Sequence, residues 1–347
     1  MAELPGVMTA AVTTAHGGPG TIEIRHDWPI PVPREGEVLI RVAAAGINNT
    51  DLWSRQGAYG TAAEPDAVVG WRGVPLDFPR IQGGDIAGVV VAAGSSAGEQ
   101  WLGRRVIVDP AAEYSDGYPS AIVGSEVDGG FAQYHVSRIA RVHDVTDSPL
   151  SDEQLACLPI AYATAFGMVE RAECQAGERV LVTGASGGVG LAATQIVAGR
   201  NCHVVAYTSP GKAAIVAQSG ADEVLVRGRD RLEDLPEVNV VLDVVGGDEF
   251  AAVLDRLGDG GRLATVGAIA GPVVNLDLRR LYLRNRRLIG STMHTPELFA
   301  DMVELARTGA VDPLVAATYP LTEIAAAQAR FERKDFVGKL ILLPADG

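Results

Sequence analysis

The sequence predicts an α/β protein in which a doubly wound parallel sheet is combined with a smaller, partly closed β-barrel. Three observations predict this fold class. Residues 178–200 read as a buried strand, a glycine-rich turn and a helix. After them, short apolar runs alternate with helical segments at the rhythm of strand–helix–strand units. Before them, residues 8–142 hold short strand-like runs between glycine and proline turns, a pattern typical of all-β structure.

The glycine-rich turn predicts a dinucleotide site. The run before it, at 179–183, is apolar and β-branched, as a buried parallel strand is. Gly184, Gly187, Gly188 and Gly190 then let the backbone approach a ligand closely. The helix that follows has free N–H groups in its first turn, and these can bind a pyrophosphate. A glycine-rich surface turn is the alternative, and the preceding strand argues against it.

The remaining strands of the parallel sheet follow along the second half of the chain. They are predicted at 203–207, 223–226, 239–243, 261–266 and 287–291. A helix at 212–219 is ended by Gly220, and Thr295 with Pro296 gives the N-cap and first turn of a last helix.

The first part of the chain is predicted to form the barrel. Strand-like runs lie at 21–25, 37–43, 86–92 and 104–108. Ser151 and Gln154 form a capping box that opens a helix leading into the parallel sheet. After a helix at 322–333, the run 336–342 is predicted to be a strand that returns to the first domain.

The end of the second parallel strand indicates which dinucleotide binds. Enzymes that prefer NAD usually carry an acid there, which bonds the ribose 2′-hydroxyl. This chain has Tyr207, Ser209 and Lys212 instead, and hydroxyls with an ammonium suit a 2′-phosphate. NADPH is therefore the predicted coenzyme, although Lys212 alone is equally typical of a solvated helix residue. Arg227 and Arg229 either help to bind the phosphate or are surface charges.

Composition limits the classes of function. The chain has 347 residues, 47% of them hydrophobic, and a net charge of −14. This length fits two domains, and the negative charge argues against nucleic acid or an anionic membrane as a partner. No apolar run approaches about 18 residues and no leader opens the sequence, so a cytoplasmic protein is expected. The three cysteines lack CxxC spacing, which argues against a structural zinc.

Five motifs, in order and at family spacing, resemble the medium-chain dehydrogenase/reductases, specifically their zinc-free quinone and enoyl reductase branch. They lie at 45–51, 83–88, 129–132, 161–165 and 185–190. The resemblance implies a GroES-like catalytic domain at 1–154 and 313–347, and a Rossmann domain at 155–312. It also implies a homodimer joined through edge strands of the nucleotide sheet. One departure is Ala185, which stands at the family's first fingerprint glycine. Ser209 falls at the acid position of NAD-using relatives.

The same resemblance bears on zinc. Zinc alcohol dehydrogenases of this superfamily carry their catalytic ligands at positions that resemble Asn48, Gly84 and Ile160 here. An amide, a hydrogen and an alkyl chain are poor zinc ligands. The six histidines show no ligand spacing either. No metal is therefore expected.

Family resemblance also suggests the site residues. Tyr59 matches a tyrosine implicated in proton delivery, and a hydrophobic gate is its alternative role. Asn48 is expected to face the nicotinamide, and a turn-stabilising role is equally open. Asp51 and Asp85 are expected to be scaffold. The predicted substrate pocket consists of Trp53, Trp71, Arg72 and Tyr162, with Arg72 able to meet an anionic group. The predicted coenzyme residues are Thr164, Gly187, Gly188, Val189, Tyr207, Ser209, Lys212, Val244, Gly267, Ala268 and Ser291.

The expected chemistry follows from the missing metal. Without a Lewis acid a simple ketone is hard to polarise, whereas hydride added to a conjugated C=C bond spreads charge onto an oxygen that needs only hydrogen-bond donors. The sequence therefore predicts NADPH-dependent reduction of an α,β-unsaturated carbonyl. The alternatives are an NADPH:quinone reductase and, in another class, a non-catalytic NADPH-binding protein.

Overall fold

The structure, a computed structural model, describes residues 4–60 and 67–344. The strands, in chain order, are β1 Val7–Thr13, β2 Ile22–Pro29, β3 Glu37–Gly46, β4 Arg80–Ile81, β5 Asp85–Ala93, β6 Arg105–Val108, β7 Ala111–Ser115, β8 Tyr118–Ile122, β9 Tyr134–Arg138, β10 Val142–Asp144, β11 Arg179–Thr183, β12 His203–Thr208, β13 Glu223–Val226, β14 Val238–Asp243, β15 Leu257–Thr265, β16 Arg287–Gly290, β17 Val315–Pro320 and β18 Lys339–Leu343. The helices are α1 Asn49–Gln56, α2 Asp152–Leu155, α3 Ala163–Arg171, α4 Gly188–Gly199, α5 Ala213–Ala217, α6 Phe250–Leu254, α7 Arg279–Tyr282, α8 Pro296–Thr308 and α9 Ile324–Arg333.

The first body is built from mostly antiparallel strands. Its larger sheet has the order β10-β6-β5-β3-β18-β17, with β9 also paired to β3, and a smaller sheet has the order β2-β1-β4. β3 and β5 can approach closely because Gly88 lacks a side chain: a Cβ there would lie 2.2 Å from the carbonyl oxygen of Arg41. The strand β18 pairs with β3, so the run predicted at 336–342 does return to this body.

The second body is a six-stranded parallel sheet of order β13-β12-β11-β14-β15-β16. All six strands predicted from sequence are present. They could be predicted because a strand buried on both faces of a sheet is a continuous apolar run in the sequence. The order reverses between β11 and β14, and in such sheets the crevice at that point, beyond the carboxyl ends of the strands, binds the ligand. The predicted α/β fold class, a partly closed barrel with a doubly wound sheet, is confirmed.

Two predicted helix starts are also confirmed. At α2, Ser151 Oγ accepts from the backbone N–H of Gln154 at 3.2 Å, while the Gln154 side chain accepts from the Ser151 N–H at 3.1 Å. At α8, Thr295 Oγ1 accepts from the N–H of Leu298. The helix predicted at 212–219 is shorter, since α5 covers only Ala213–Ala217.

The two bodies share a hydrophobic core. Ala44, Ala87 and Ile107 of the first body belong to the same buried cluster as Val180 and Val182 of the parallel sheet. This continuous packing fixes the crevice between them. In the part of the chain that is described, no helix is long and apolar enough to cross a membrane.

Candidate active site

The turn between β11 and α4 has the geometry of a dinucleotide-binding loop. Gly184 has a φ of +59°, a conformation that residues with a Cβ rarely adopt. A Cβ on Gly190 would lie 2.3 Å from the carbonyl oxygen of Gly184, so α4 packs against the turn only because residue 190 is glycine. Because this short turn joins the end of β11 to α4, the unpaired first amides of α4 lie at the carboxyl edge of the sheet. A pyrophosphate is favoured there by those amides and by the helix dipole.

A cavity of about 840 Å³ runs along this edge and continues between the two bodies. Most of the site residues predicted from sequence line it. These are Asn48, Trp53, Tyr59, Trp71, Thr164, Gly187, Gly188, Val189, Tyr207, Ser209, Lys212, Val244, Gly267 and Ala268.

Four cationic side chains gather with Ser209 at the part of the cavity beyond β12 and β13. Lys212 and Arg227 belong to the nucleotide-binding body, whereas Arg333 and Lys334 stand at the end of α9; all line the cavity. Lys212 Nζ donates to the backbone oxygen of Lys334 at 2.5 Å, and burial lowers the pKa of Lys212. Sequence reasoning missed Arg333 and Lys334 because they lie far along the chain from the glycine turn, and nothing in the stretch around them (Arg-Phe-Glu-Arg-Lys at 330–334) marks a phosphate site.

The ammonium of Lys334 connects this region to the first body. Its Nζ donates to Asn49 Oδ1 at 2.8 Å and lies 3.6 Å from the ring centre of Phe331. Burial lowers the pKa of Lys334 to about 8. A phosphate group is therefore a favourable counter-ion for it, because charge-assisted hydrogen bonds to phosphate stabilise the protonated form.

Tyr207 lines the same part of the cavity. Its hydroxyl donates to Glu249 Oε1 at 2.9 Å, and burial together with this carboxylate raises the pKa of Tyr207 to about 12. Glu249, which also lines the cavity, was not predicted from sequence. No motif marks it, because it precedes the short helix α6 in a loop of the sheet.

A buried polar network lies at the other end, around Asn48. Lys339 Nζ donates to Asn48 Oδ1 at 2.5 Å, to Asp85 Oδ2 at 2.7 Å and to the backbone oxygen of Ile47 at 3.0 Å. Asn48 Nδ2 donates to Asp85 Oδ2 at 2.8 Å, and the Ile160 N–H donates to Asp85 Oδ1 at 2.6 Å. The Asn48 amide is thus held on both its donor and acceptor sides. Among the described residues, the other acceptor near Nδ2 is the Gly46 backbone oxygen at 3.5 Å, a weak partner, so a bond from the second Nδ2 hydrogen to a substrate carbonyl, the role suggested by sequence, stays a prediction.

Asp51 extends this network to the start of α1. Its Oδ2 accepts from the Asn48 N–H at 2.7 Å, which makes the second half of a capping box. The carboxyl group is almost fully buried, and this burial raises the pKa of Asp51 to about 7.

Tyr59 lies on the substrate side of the cavity. Its hydroxyl donates to Thr50 Oγ1 at 3.1 Å, and its ring meets the Trp53 ring edge-on at 5.7 Å. Burial raises the pKa of Tyr59, so the phenol stays protonated and can donate a hydrogen bond or a proton. Trp71 also lines the cavity.

Two predicted residues point away from the cavity. Tyr162 belongs to a π-helical turn, Leu158–Tyr162, and its buried hydroxyl donates to Gln195 Oε1 at 2.9 Å. Ser291 is likewise buried and accepts from Arg171 at 3.0 Å. Neither lines the cavity, and beyond β16 the lining residues are Thr292 and Met293. The placement of Tyr162 corrects its predicted pocket role, whereas the main-chain contact to the coenzyme that the resemblance implies for Ser291 stays a prediction.

Arg72 also lies outside the cavity wall. Its exposed guanidinium lies 5.8 Å from the ring centre of Trp71, and Nη1 is 3.5 Å from the backbone oxygen of Pro119. The expectation that Arg72 meets an anionic substrate group within the pocket is not supported by this placement.

The positions that carry zinc ligands in metal-dependent relatives do not fit a zinc ion here. Asn48 already accepts from the Lys339 ammonium, whose charge would repel a second cation. The space beside Gly84 is filled by Ile160, whose Cδ1 lies 3.1 Å from where a Cβ would stand. Within residues 4–60 and 67–344, no group of three or more His, Cys, Asp or Glu residues could hold a metal.

A dinucleotide loop that faces a phenol and an aromatic wall across a crevice defines a nicotinamide-dependent oxidoreductase. Comparison with known proteins agrees. Residues 34–147 match the alcohol dehydrogenase GroES-like domain, and residues 188–308 match the zinc-binding dehydrogenase family. A structure from Sinorhizobium meliloti 1021, assigned as an alcohol dehydrogenase, is 42% identical, with 98% of each chain covered and a TM-score of 0.93.

Curated relatives extend the match. The quinone oxidoreductase of Homo sapiens is 29% identical, over 97% of this chain and 98% of that protein. The acryloyl-coenzyme A reductase of Metallosphaera sedula is also 29% identical, over 90% of this chain and 93% of that protein. The chain belongs to the medium-chain dehydrogenase/reductase superfamily and is an oxidoreductase.

Proposed function

We propose that this protein uses NADPH to reduce the activated C=C bond of an α,β-unsaturated carbonyl compound, without a metal. The observation that carries the proposal is the substrate end of the cavity. There a protonated phenol, Tyr59, packs against the Trp53 ring, and of the three positions that resemble the superfamily's metal-ligand positions Asn48 and Ile160 line the cavity, while Gly84 lies against Ile160. Such a site supplies hydrogen-bond donors and a proton, which conjugate reduction needs, and no strong electrophile, which reduction of a simple ketone needs.

The residues present fit the coenzyme. The glycine turn and the first amides of α4 suit the pyrophosphate, while Ser209, Lys212, Arg227 and Lys334 suit a 2′-phosphate. When bound, NADPH would supply a hydride to the β-carbon of the substrate. Tyr59 would donate a hydrogen bond to the carbonyl oxygen as negative charge develops on it, and transfer of a proton to the α-carbon of that enolate, from the Tyr59 hydroxyl, from water or from a ribose hydroxyl, would complete the reduction. Thr50 orients the phenol by accepting its hydrogen bond in the resting site.

Uncharged conjugated substrates fit this end of the cavity best. Trp53, Tyr59 and Trp71 offer apolar faces, and Arg72 points elsewhere. An aromatic wall favours an apolar or aryl-bearing enone through stacking and burial. The same wall also suits a quinone, and the similarity to a quinone oxidoreductase makes NADPH:quinone reduction the second candidate.

An acceptor screen distinguishes these candidates. NADPH oxidation is followed with four acceptors: an enone, an enoyl thioester, a quinone and a saturated ketone. In a second experiment the enone is reduced with NADPH that carries deuterium at the transferred position, and the position of the deuterium in the product is determined. We expect turnover of the enone with deuterium at the β-carbon. Turnover of the quinone alone supports the second candidate. Turnover only of the saturated ketone contradicts both.

Coenzyme preference is tested separately. A charge-assisted hydrogen bond contributes about 1.5–3 kcal/mol, so Lys212→Ala is expected to raise the Kd for NADPH roughly tenfold or more and to leave that for NADH unchanged. Arg229→Ala is the matched control, because Arg229 is exposed, pairs with Asp230 and does not line the cavity. Equal affinity of the wild type for NADH and NADPH would contradict the 2′-phosphate assignment.

A further inference from the structure

The segment 291–294, directly after β16, is held in an unusual backbone conformation beside the cavity. Thr292 and Met293 line the cavity at the carboxyl edge of the sheet. Met293 has a φ of +37°, a region that residues with a Cβ rarely occupy. Strained conformations of this kind persist only where surrounding contacts hold them, and they cluster at ligand-binding positions.

One set of contacts comes from α3. Arg171 Nη1 donates to the Met293 backbone oxygen and to Ser291 Oγ, each at 3.0 Å. Gly167 permits the approach, because a Cβ there would lie 2.5 Å from the Met293 oxygen. The carbonyl of Met293 is therefore fixed from within the nucleotide-binding body.

A second contact comes from the other body. His294 Nε2 lies 2.9 Å from Asp109 Oδ1, and the two side chains are 0% and 1% exposed. Asp109 follows β6 and also accepts from the Ala111 N–H and the Tyr114 hydroxyl, each at 2.9 Å. Arg141 lies 3.5 Å from its second oxygen and 4.5 Å from the ring centre of Tyr114. Asp109 is thus a fixed, fully buried anchor.

The direction of the His294 bond is set by its surroundings. Nδ1 of His294 is buried and has no hydrogen-bond partner among the described residues. A hydrogen on Nδ1 would be a buried donor without an acceptor, which is costly. The neutral tautomer with hydrogen on Nε2, donated to Asp109, fits this environment. The histidine ring packs against Phe299 of α8 at 4.8 Å, which fixes its plane.

We propose that Asp109 and His294 are positioning residues for hydride transfer. The pair ties the segment 291–294 to the barrel, so that Thr292 and Met293 hold the nicotinamide end of the coenzyme at a fixed depth relative to a substrate bound beside Tyr59. Neither Asp109 nor His294 lines the cavity, so both would act through the segment 291–294 and not by contact with coenzyme or substrate. This inference rests on the proposed function, because it needs a nicotinamide in the crevice. Beyond that function, the inference assigns a role to the buried contact between the two bodies: the Asp109–His294 pair sets the distance between nicotinamide and substrate.

The test compares His294→Leu, which keeps an apolar side chain and loses the donor, with His294→Gln, which keeps a donor. Ser148→Ala is the matched control, because Ser148 makes a similar buried bond to the Ala306 backbone oxygen of α8 and does not line the cavity. Three quantities are measured: single-turnover hydride transfer, the fluorescence anisotropy of bound NADPH, and hydrogen exchange of the backbone amides of 291–294.

We expect His294→Leu to slow hydride transfer at least tenfold, since small misplacement of reacting groups has effects of that size. The NADPH Kd should change less than threefold, the anisotropy of bound NADPH should fall, and the 291–294 amides should exchange faster. His294→Gln should recover most of the rate, and Ser148→Ala should behave as the wild type.

A hydride-transfer rate within twofold of the wild type in His294→Leu would overturn the proposal. A slow rate with unchanged exchange and anisotropy would overturn it too. If His294→Leu does not fold, His294→Phe replaces it, because it keeps an aromatic ring against Phe299 and removes the donor to Asp109; hydride transfer and amide exchange equal to the wild type would then count against the proposal. If the wild type reduces no acceptor, the proposed function fails, and the anisotropy and exchange measurements still decide the positioning role.

Discussion

Removal of the Lys339 ammonium is the most direct test of the buried network. In Lys339→Met the stem is retained, so packing against Gly188 is kept while the charge is lost. Among the residues the structure describes, the Asp85 carboxylate, 0% exposed, is then left with only the Asn48 amide and the Ile160 N–H as donors. Breaking a buried ion pair by removing one partner costs about 3–5 kcal/mol, because the remaining charge is uncompensated.

Urea unfolding measures this cost. Lys339→Met should lower the midpoint with little change in the slope, and the double variant Lys339→Met with Asp85→Asn should lose less than the single one, because no bare charge remains. The matched control is Arg287→Met, whose pair with Glu173 is 48% and 61% exposed and should contribute less than about 1 kcal/mol. A loss below about 1 kcal/mol in Lys339→Met, or a double variant less stable than the single one, would refute this reasoning.

Three further predictions concern other parts of the molecule. Because burial raises the pKa of Asp51 from its ordinary value of about 4 to about 7, ionisation of Asp51 opposes folding. The unfolding free energy of the wild type, relative to Asp51→Asn, should fall by up to about 4 kcal/mol between about pH 4 and pH 7, measured by urea unfolding across that range; a constant difference would contradict the burial argument. Tyr59→Phe should lower kcat for the enone about 10²-fold with the NADPH Kd within threefold, and an unchanged kcat would assign the ring a gating role. We also propose that the edge strand β16 joins two copies of the chain, so Leu288→Lys, at a side chain 41% exposed, should reduce the mass found by light scattering to that of a monomer, while Val32→Lys, 82% exposed on the barrel, should not.

The sequence was informative wherever one local pattern decides the structure. The six parallel strands are continuous apolar runs, because they are buried on both faces of the sheet. Ser151 and Thr295 cap helices through hydrogen bonds to residues only three positions away, so these caps are also local patterns. The glycine turn was predictable for the same reason. Glycine is required there by steric contacts within a short segment, as the close approach of Gly190 to Gly184 shows.

The remainder depends on contacts between distant segments. Tyr162 was assigned to the pocket, but the π-helical turn Leu158–Tyr162 rotates its side chain toward Gln195, and periodicity carries no signal for such a turn. Arg333 and Lys334 reach the coenzyme region through the packing of α9. The hydrogen bonds that fix the Asn48 amide could not be predicted from the sequence, because the partner Lys339 is 291 residues away.

The position of β18 between β3 and β17 has a consequence for how the working cleft is assembled during synthesis. The parallel sheet is complete in sequence at residue 290, so a growing chain can form a dinucleotide-binding body early. The barrel still has an open edge at that point, and Asp85 still lacks its cation, until residues 339–343 arrive. A translation product interrupted before residue 339 would thus hold a coenzyme loop opposite an unfinished wall, and only a product that includes β18 would have both sides of the cleft.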